Sequence, residues 1–277
     1  MSTDAPVRDD ELAEPTTQKV RRLTRLRRTY GLAALFSLAM IGAWEAIVRV
    51  AHIPDYLLPA PSGIAVALKQ DWTQYLAPAT WVSLREVLIG FVAAAVLGIG
   101  LAIVLHLFGP LRRAVYPLLI ASQTIPIIVL APILVILLGY GIMPKLVIVA
   151  LICFFPIVVN GLDGLRSVDD DYIRMMRTLD GGRWAIFRRI EFPAALPLIF
   201  SGMRIAATFA AIGAVFGEWS GSNAGLGFVM QAATPNLQTA RIFAAILILT
   251  MIALFLFALV SLLERLLVPW APRGTPT

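Results

Sequence analysis

Charge is the first thing this sequence has little of. Asp, Glu, Lys and Arg make up 14% of its 277 residues and hydrophobic residues 59%, whereas a soluble globular domain carries about 25% charged residues. That balance argues against a soluble fold. Cysteine is nearly absent: Cys153 is the single one, so no disulfide framework is possible, and its place inside an apolar run makes it a packing residue. There are two histidines, His52 and His106. They lie far apart in sequence, and no cysteine or carboxylate joins either at ligand spacing, so no metal site is expected. No G-x-x-x-x-G-K-[ST] segment occurs, which removes the common device for cradling ATP phosphates. No local motif offers a Ser, His and Asp set for nucleophilic chemistry. The chain is expected to have no catalytic residue.

What the sequence does have is long uninterrupted apolar runs. No charged residue occurs in 87–111, 114–144, 146–162 or 242–263, and a hydrocarbon core about 30 Å thick needs roughly 20 helical residues to cross it. Two more runs carry one interior charge each, Glu45 within 32–51, where Arg49 lies near the end, and Arg204 within 196–217. Each of these charges is costly in hydrocarbon unless it faces protein or an interface. The fold class that follows is all-α, a polytopic membrane protein of six transmembrane helices.

The ends are polar. Residues 1–18 hold Asp4, Asp9, Asp10, Glu11 and Glu14 with two prolines, a composition unable to bury enough surface to fold alone. Residues 19–30 place Val20, Leu23, Leu26 and Tyr30 at helical spacing among six basic residues. That pattern fits either a short amphipathic helix on an anionic membrane surface or a topogenic charge cluster. No small-residue cleavage site follows, so a retained anchor is expected rather than a signal peptide. Seventeen of the 23 lysines and arginines fall in 1–28, 109–114, 163–195 and 265–277, which makes these segments, and both termini, cytoplasmic by the positive-inside bias. The organisation is then a tail 1–28, a transmembrane domain 29–270 and a C-terminal tail 271–277.

Within the spans, small residues recur every fourth position: Gly90, Ala94, Gly98 and Ala102, and again Gly202, Ala206, Ala210 and Ala214. Such ladders let helices approach closely in lipid, within one subunit or across a dimer seam. The third span contains Pro126 and Pro132, preceded by Ser122, Gln123 and Thr124. Each proline frees a backbone carbonyl that needs protein or water, so this broken helix is expected to be internal. The polar patch at the break either lines a transport pathway, with Gln123, Thr124 and Pro126 midway and Glu218 and Trp219 nearer the outer gate, or bonds neighbouring helices. The stretch 219–241 is rich in Gly, Ser and Asn and reads as an outer loop with a short helix dipping toward the membrane.

The longest cytoplasmic segment, 163–195, is neither a simple turn nor a linker. Ile173, Met176 and Leu179, then Trp184, Phe187 and Ile190, recur at helical spacing around Asp180, Gly181 and Gly182, which predicts two short amphipathic helices joined by a glycine turn. This segment resembles the cytoplasmic signature of binding-protein-dependent ABC importer permeases: Glu-Ala-Ala, three residues, Gly, nine residues, Ile, any residue, Leu-Pro. Ile190 and Pro193 match it, and Phe192 replaces Leu. Arg174, Met175 and Met176 stand where Glu-Ala-Ala would be, and Asp180 stands at the glycine with Gly181 next to it. The stretches LLPAPSGI, SLREVLIGF, PAALPLIFSGMRIA and GEWSGSNAGLGFVM resemble the nitrate, sulfonate, taurine and thiamine-precursor class of these permeases.

The resemblance implies a subunit of a bacterial inner-membrane importer that is not itself an enzyme. It implies a homodimeric permease surrounded by lipid, two cytoplasmic ATPase subunits docked on 163–195 and holding ATP and magnesium, and an external substrate-binding protein. Nucleic acid has no place in it, and neither does a cofactor bound by this chain. Arg174, Met175, Met176, Asp180, Gly181, Ile190 and Pro193 become the ATPase-coupling residues, with Asp180 either capping the second short helix or pairing with a basic ATPase residue. A thiamine pyrimidine precursor is the expected solute, with aliphatic sulfonate, taurine or nitrate as alternatives. A stand-alone secondary transporter is the alternative class, and it calls for intramembrane carboxylates, of which only Glu45 and Glu218 stand near span interiors.

Overall fold

The computed structural model describes residues 15–270, with side chains from Gly31 onward except that of Ala33. The tails at 1–14 and 271–277, and the side chains of the basic stretch 19–30, lie outside the described residues. Every regular element among them is helical, and the chain divides into two compact units, 1–63 and 64–277.

In the first unit, α1 (Pro15–Val50) is one continuous helix. The basic stretch and the first predicted span are therefore parts of a single rod, not separate helices. Glu45, the costly charge of that span, is satisfied locally. Arg49 Nε donates to it at 2.6 Å, and Ser62 donates through its hydroxyl at 2.7 Å and its backbone N–H at 3.0 Å. Ser62 is the second residue of α2 (Pro61–Gln70), so the carboxylate caps a helix start where N–H groups are unpaired, behind a proline that has none to lose.

In the second unit a π-helical turn, Trp72–Leu76, runs into α3 (Ala77–Leu107). Then come α4 (Gly109–Ser122), α5 (Ile127–Leu138), α6 (Ile142–Leu165) and the short α7 (Asp170–Thr178). After a turn, α8 (Arg183–Ile186) passes through a second π turn, Phe187–Glu191, into α9 (Phe192–Trp219), followed by α10 (Leu226–Ala233) and α11 (Thr239–Leu267). The stretches Trp72–Leu107, Ile142–Leu165, Arg183–Trp219 and Thr239–Leu267 are long and apolar enough to cross a membrane, and α4 with α5 makes a fifth if the bent pair is one span.

α6 is the central helix, held between α3 and α9. Its buried stripe, Val149, Cys153, Ile157, Gly161 and Leu165, repeats every four residues. Both small-residue ladders face it. A Cβ at Gly90 would stand 2.6 Å from Val149 Cβ, and one at Gly202 would stand 2.6 Å from the Pro156 carbonyl oxygen. All eight ladder residues are buried, so they serve contact within the subunit. Lipid tails are as apolar as these side chains, and the gain comes from dispersion at close approach.

α11 is pinned to the bundle at both ends by ion pairs. Arg204 of α9 meets Glu264, which accounts for the charge inside the predicted fifth span. Near the other end Arg241 donates to both oxygens of Asp71, at 2.6 and 2.9 Å, with its guanidinium 4.2 Å from the Tyr75 ring centre.

Two expectations are corrected. The first concerns the third span, which is broken as expected, with a bend of 101° between α4 and α5, but is not buried. Pro126 has an extended backbone at the start of α5, while Pro117 and Pro132 sit inside helices without ending them. The broken pair is not internal in the isolated chain, since α4 buries no residue and α5 only Ala131 and Val135. The second correction concerns 163–195, where α7 alone is a separate short helix and the second amphipathic segment is the first turns of the long α9 rod.

Candidate functional site

Three regions carry the chemistry. At one end of the bundle, the N-termini of α3 and α6 meet the end of α9 and the start of α10. Ser83, Glu86, Lys145 and Glu218 make up the buried polar and charged side chains among the described residues, and all four meet here. Lys145 Nζ donates to Glu86 Oε1 and to Ser222 Oγ, both at 2.7 Å. Ser83 Oγ donates to Glu218 Oε1 at 2.5 Å and accepts the Leu226 N–H at 2.8 Å. The Gly227 N–H donates to Glu218 Oε2. The first two N–H groups of α10 are thus satisfied by a hydroxyl and a carboxylate, both favoured at a helix start.

The local sequence GEWSGSNAGLG is built for this fit. Gly225 adopts φ +111°, and a Cβ there would collide with the Glu218 carboxyl. At Gly227 a Cβ would lie 2.9 Å from Glu218 Oε2. Trp219 Nε1 donates to the Gly227 carbonyl at 2.9 Å, fastening α10 a second time. Glu218 is fully enclosed, whereas Trp219 is 40% exposed. Of this predicted pair, then, only the tryptophan presents a face to the surroundings. Glu86 and Lys145 were missed because charge-free runs delimit spans that begin one residue after each. The helical register running back through SLREVLIGF was the signal that could have found Glu86.

The second region is the break between α4 and α5. Ser122 and Thr124 hydroxyls donate to the carbonyls of Leu119 and Ala121 at 2.7 and 2.8 Å at the end of α4, where Ala121 also accepts the Thr124 N–H at 3.1 Å. Gln123 donates to Ser122 Oγ at 3.3 Å, and Gln123 and Thr124 are exposed. No hydrogen bond joins this patch to Glu218 or Trp219.

The third region lies at the opposite end of the bundle, around α7. Asp169 caps this helix, its side chain accepting the Asp171 N–H at 2.9 Å. The C-terminus closes as a Schellman motif: Gly181 N–H donates to Met176 O at 2.9 Å, and Asp180 N–H to Arg177 O at 3.2 Å. Asp180 takes the left-handed position with φ +56°. It is the helix-ending residue, in the place where glycine is usual because a Cβ is disfavoured there. The expected cap on the second short helix is not made, since Gly182 stands at that N-cap with no side-chain bond. Gly181 is needed for a different reason: a Cβ there would sit 2.6 Å from the Met176 carbonyl oxygen.

Met175 is 53% and Leu179 70% exposed on this short helix. Arg174 reaches Asp171 only at 3.6 Å, both side chains being largely exposed. Ile190 lies in the second π turn and Pro193 in the first turn of α9, apart from the α7 cluster. Two bonds tie the start of this rod to the end of α3: Arg183 donates to the Leu107 carbonyl, and His106 Nε2 lies 2.9 Å from Glu191 Oε2. A cleft of about 500 Å³ opens between them, lined by Arg174, Arg177 and Arg183 together with Asp170.

The family described as binding-protein-dependent transport system inner membrane component matches residues 94–271. The chain belongs to this family. As one of these ABC transporter permeases it is a multi-pass protein of the bacterial inner membrane. Its relatives include the formylaminopyrimidine transport permease protein ThiX of Halalkalibacterium halodurans, 39% identical over 86% of this chain and 95% of that protein. The riboflavin transport system permease protein RibX of Chloroflexus aurantiacus is 34% identical over 92% of this chain and 97% of its own length. The taurine transport system permease protein TauC of Escherichia coli is 28% identical over 83% and 86%. Among solved structures, an inward-facing MetNI methionine ABC transporter chain shares the fold, with a TM-score of 0.57 and 19% identity over 72% of this chain and 96% of that one.

Proposed function

We propose that this permease forms, as a pair of identical copies, the route by which a pyrimidine precursor of thiamine enters the cell. The supporting observation is the similarity to ThiX, which at 39% identity runs over nearly the whole of that protein. TauC and the putative aliphatic sulfonates permease SsuC of Bacillus subtilis each reach 28%. In this reading the α7 end faces the cytoplasm, and α7 seats in a groove of each ATPase subunit. The exposed Met175 is a pliable apolar anchor for that seat. The external binding protein delivers solute at the α10 end. Gln123 and Thr124, exposed in the single chain at the break between α4 and α5, face the route where the two copies meet.

Uptake of labelled formylaminopyrimidine is the test, in cells deleted for the chain and complemented with it, against taurine, an aliphatic sulfonate, nitrate and riboflavin. Restored formylaminopyrimidine uptake that an excess of the others leaves intact is the expected result. Uptake of a different compound alone reassigns the solute. Transport without any ATPase subunit overturns the class.

A further inference from the structure

The buried cluster at the α10 end does not balance as drawn from its charges. It holds two carboxylates, Glu86 and Glu218, and one ammonium, Lys145, with relative exposures of 1%, 0% and 7%. A net negative charge left in such an enclosed place carries a desolvation cost of several kcal/mol. The hydrogen bonds show where the imbalance sits. Both oxygens of Glu218 already accept, one from Ser83 and one from the Gly227 N–H. Glu86 Oε1 accepts from Lys145. Glu86 Oε2 is buried with no partner, in the same enclosed cluster as the Glu218 carboxylate. An oxygen that can only accept is left unpaired in a cluster with one negative charge too many, and a single hydrogen on it resolves both problems by turning it into a donor.

We propose that Glu86 and Glu218 hold one proton between them, carried on Glu86 Oε2, and that this proton locks α10 and the end of α9 onto α3. Glu218 is the ionised member because its two oxygens take an O–H and a helix-start N–H, and the start of a helix favours negative charge. The neighbours supply no other enclosed cation. Arg85 on α3 is exposed, α6 contributes only Lys145, and residues 220–233 contain no titratable side chain. With the proton in place the cluster is neutral and every buried polar atom named here is paired. Its loss leaves two like charges enclosed together at the point where three long helices and α10 converge, and the N-terminus of α10 works loose. The site is thus a proton-binding site inside the membrane domain of the transporter.

The test uses the assembled transporter, permease with its ATPase, in lipid nanodiscs, read by infrared spectroscopy and by thermal unfolding across pH. Wild type is expected to show the carbonyl stretch of a protonated carboxyl group at neutral pH. Glu86→Gln, whose amide accepts from Lys145 and donates to Glu218, abolishes that band while keeping the unfolding midpoint. Glu218→Gln also abolishes it, because Glu86 then pairs one-to-one with Lys145. It lowers the midpoint, however, since one of the two donors at Glu218 loses its acceptor. Because the folded protein binds the extra proton, the wild-type midpoint falls as pH rises through its release, and in Glu86→Gln that slope disappears. The proposal is overturned if wild type lacks the band, if the band survives in Glu86→Gln, or if Glu86→Gln loses as much stability as Glu218→Gln or fails to assemble.

Discussion

Three glycines on α3 allow the packing argument to be tested with one kind of substitution. A Cβ at Gly90 would stand 2.6 Å from Val149 Cβ and 2.7 Å from Val149 Cγ1; at Gly98 the nearest atom is Ile157 Cγ2 at 3.0 Å; at Gly100 nothing lies within 4 Å. Carbon atoms pack at about 3.5–4.0 Å, so Gly90→Ala must push α3 and α6 apart by about an ångström. Overpacking costs about 1–3 kcal/mol, and the large overlap puts Gly90→Ala near the top of that range. Alanine returns roughly 1 kcal/mol of helix propensity, leaving a net loss of about 2 kcal/mol. Gly98→Ala meets a methyl group that can shift, and the two effects should nearly cancel. Gly100→Ala should gain about 0.5–1 kcal/mol. Denaturant unfolding of the purified transporter in mild detergent gives the order. Val149→Ala removes Cγ1 but leaves a Cβ at 2.6 Å, so it should rescue Gly90→Ala only in part, and Val149→Gly should rescue it further. Equal stability of Gly90→Ala and Gly100→Ala would refute the close approach of α3 and α6.

Other outcomes can be checked in parallel. Asp180→Gly removes a Cβ from a left-handed position and should stabilise the end of α7 by up to about 1 kcal/mol, seen as slower hydrogen exchange at the Gly181 amide. Gly181→Val brings a Cβ within 2.6 Å of the Met176 carbonyl oxygen and should leave the complex assembled while ATP hydrolysis no longer responds to loaded binding protein. Unchanged stimulation would place the coupling contact elsewhere. In a chain with Cys153 replaced, a cysteine in place of Ser167 should resist an impermeant thiol reagent added to intact cells, and one in place of Asn236 should react. The reverse pattern inverts the orientation. Gln123→Leu should lower solute uptake several-fold with ATPase assembly intact, and uptake at the wild-type rate would leave the patch a purely local cap on α4.

Much of the fold was legible because membrane spans announce themselves by length, and the ladder Gly90, Ala94, Gly98 and Ala102 announces close contact by spacing. What was hidden follows from the same rule. Requiring runs free of charge trimmed Glu86 and Lys145 from spans that in fact extend past them, because a charge paired inside protein does not end a helix. Pro126 was visible as a break, but its angle was not, since a proline fixes only one dihedral and permits both a kink and a sharp turn. The segment Trp184 to Ile190 carries the same amphipathic spacing as α7. No feature of that spacing distinguishes a free helix from the first turns of a longer one, and only the π turn at Phe187–Glu191 carries it without interruption into α9. Asp180 looked like a cap by its chemistry, yet its backbone position ends a helix and does not begin one.

The unbroken stretch Arg183–Trp219 has 37 residues. At 1.5 Å each that is about 55 Å, nearly twice the thickness of the hydrocarbon layer. A rod of that length magnifies at its tips any tilt about its middle. Swinging it by roughly 5° about its midpoint moves each tip by about 2 Å, given the rise per residue. One tip is fastened to α3 through Leu107 and His106, and the other through the Ser83 bond to Glu218. The bonds at its two tips are therefore joined through one continuous helix, and any tilt of that helix reaches both at once.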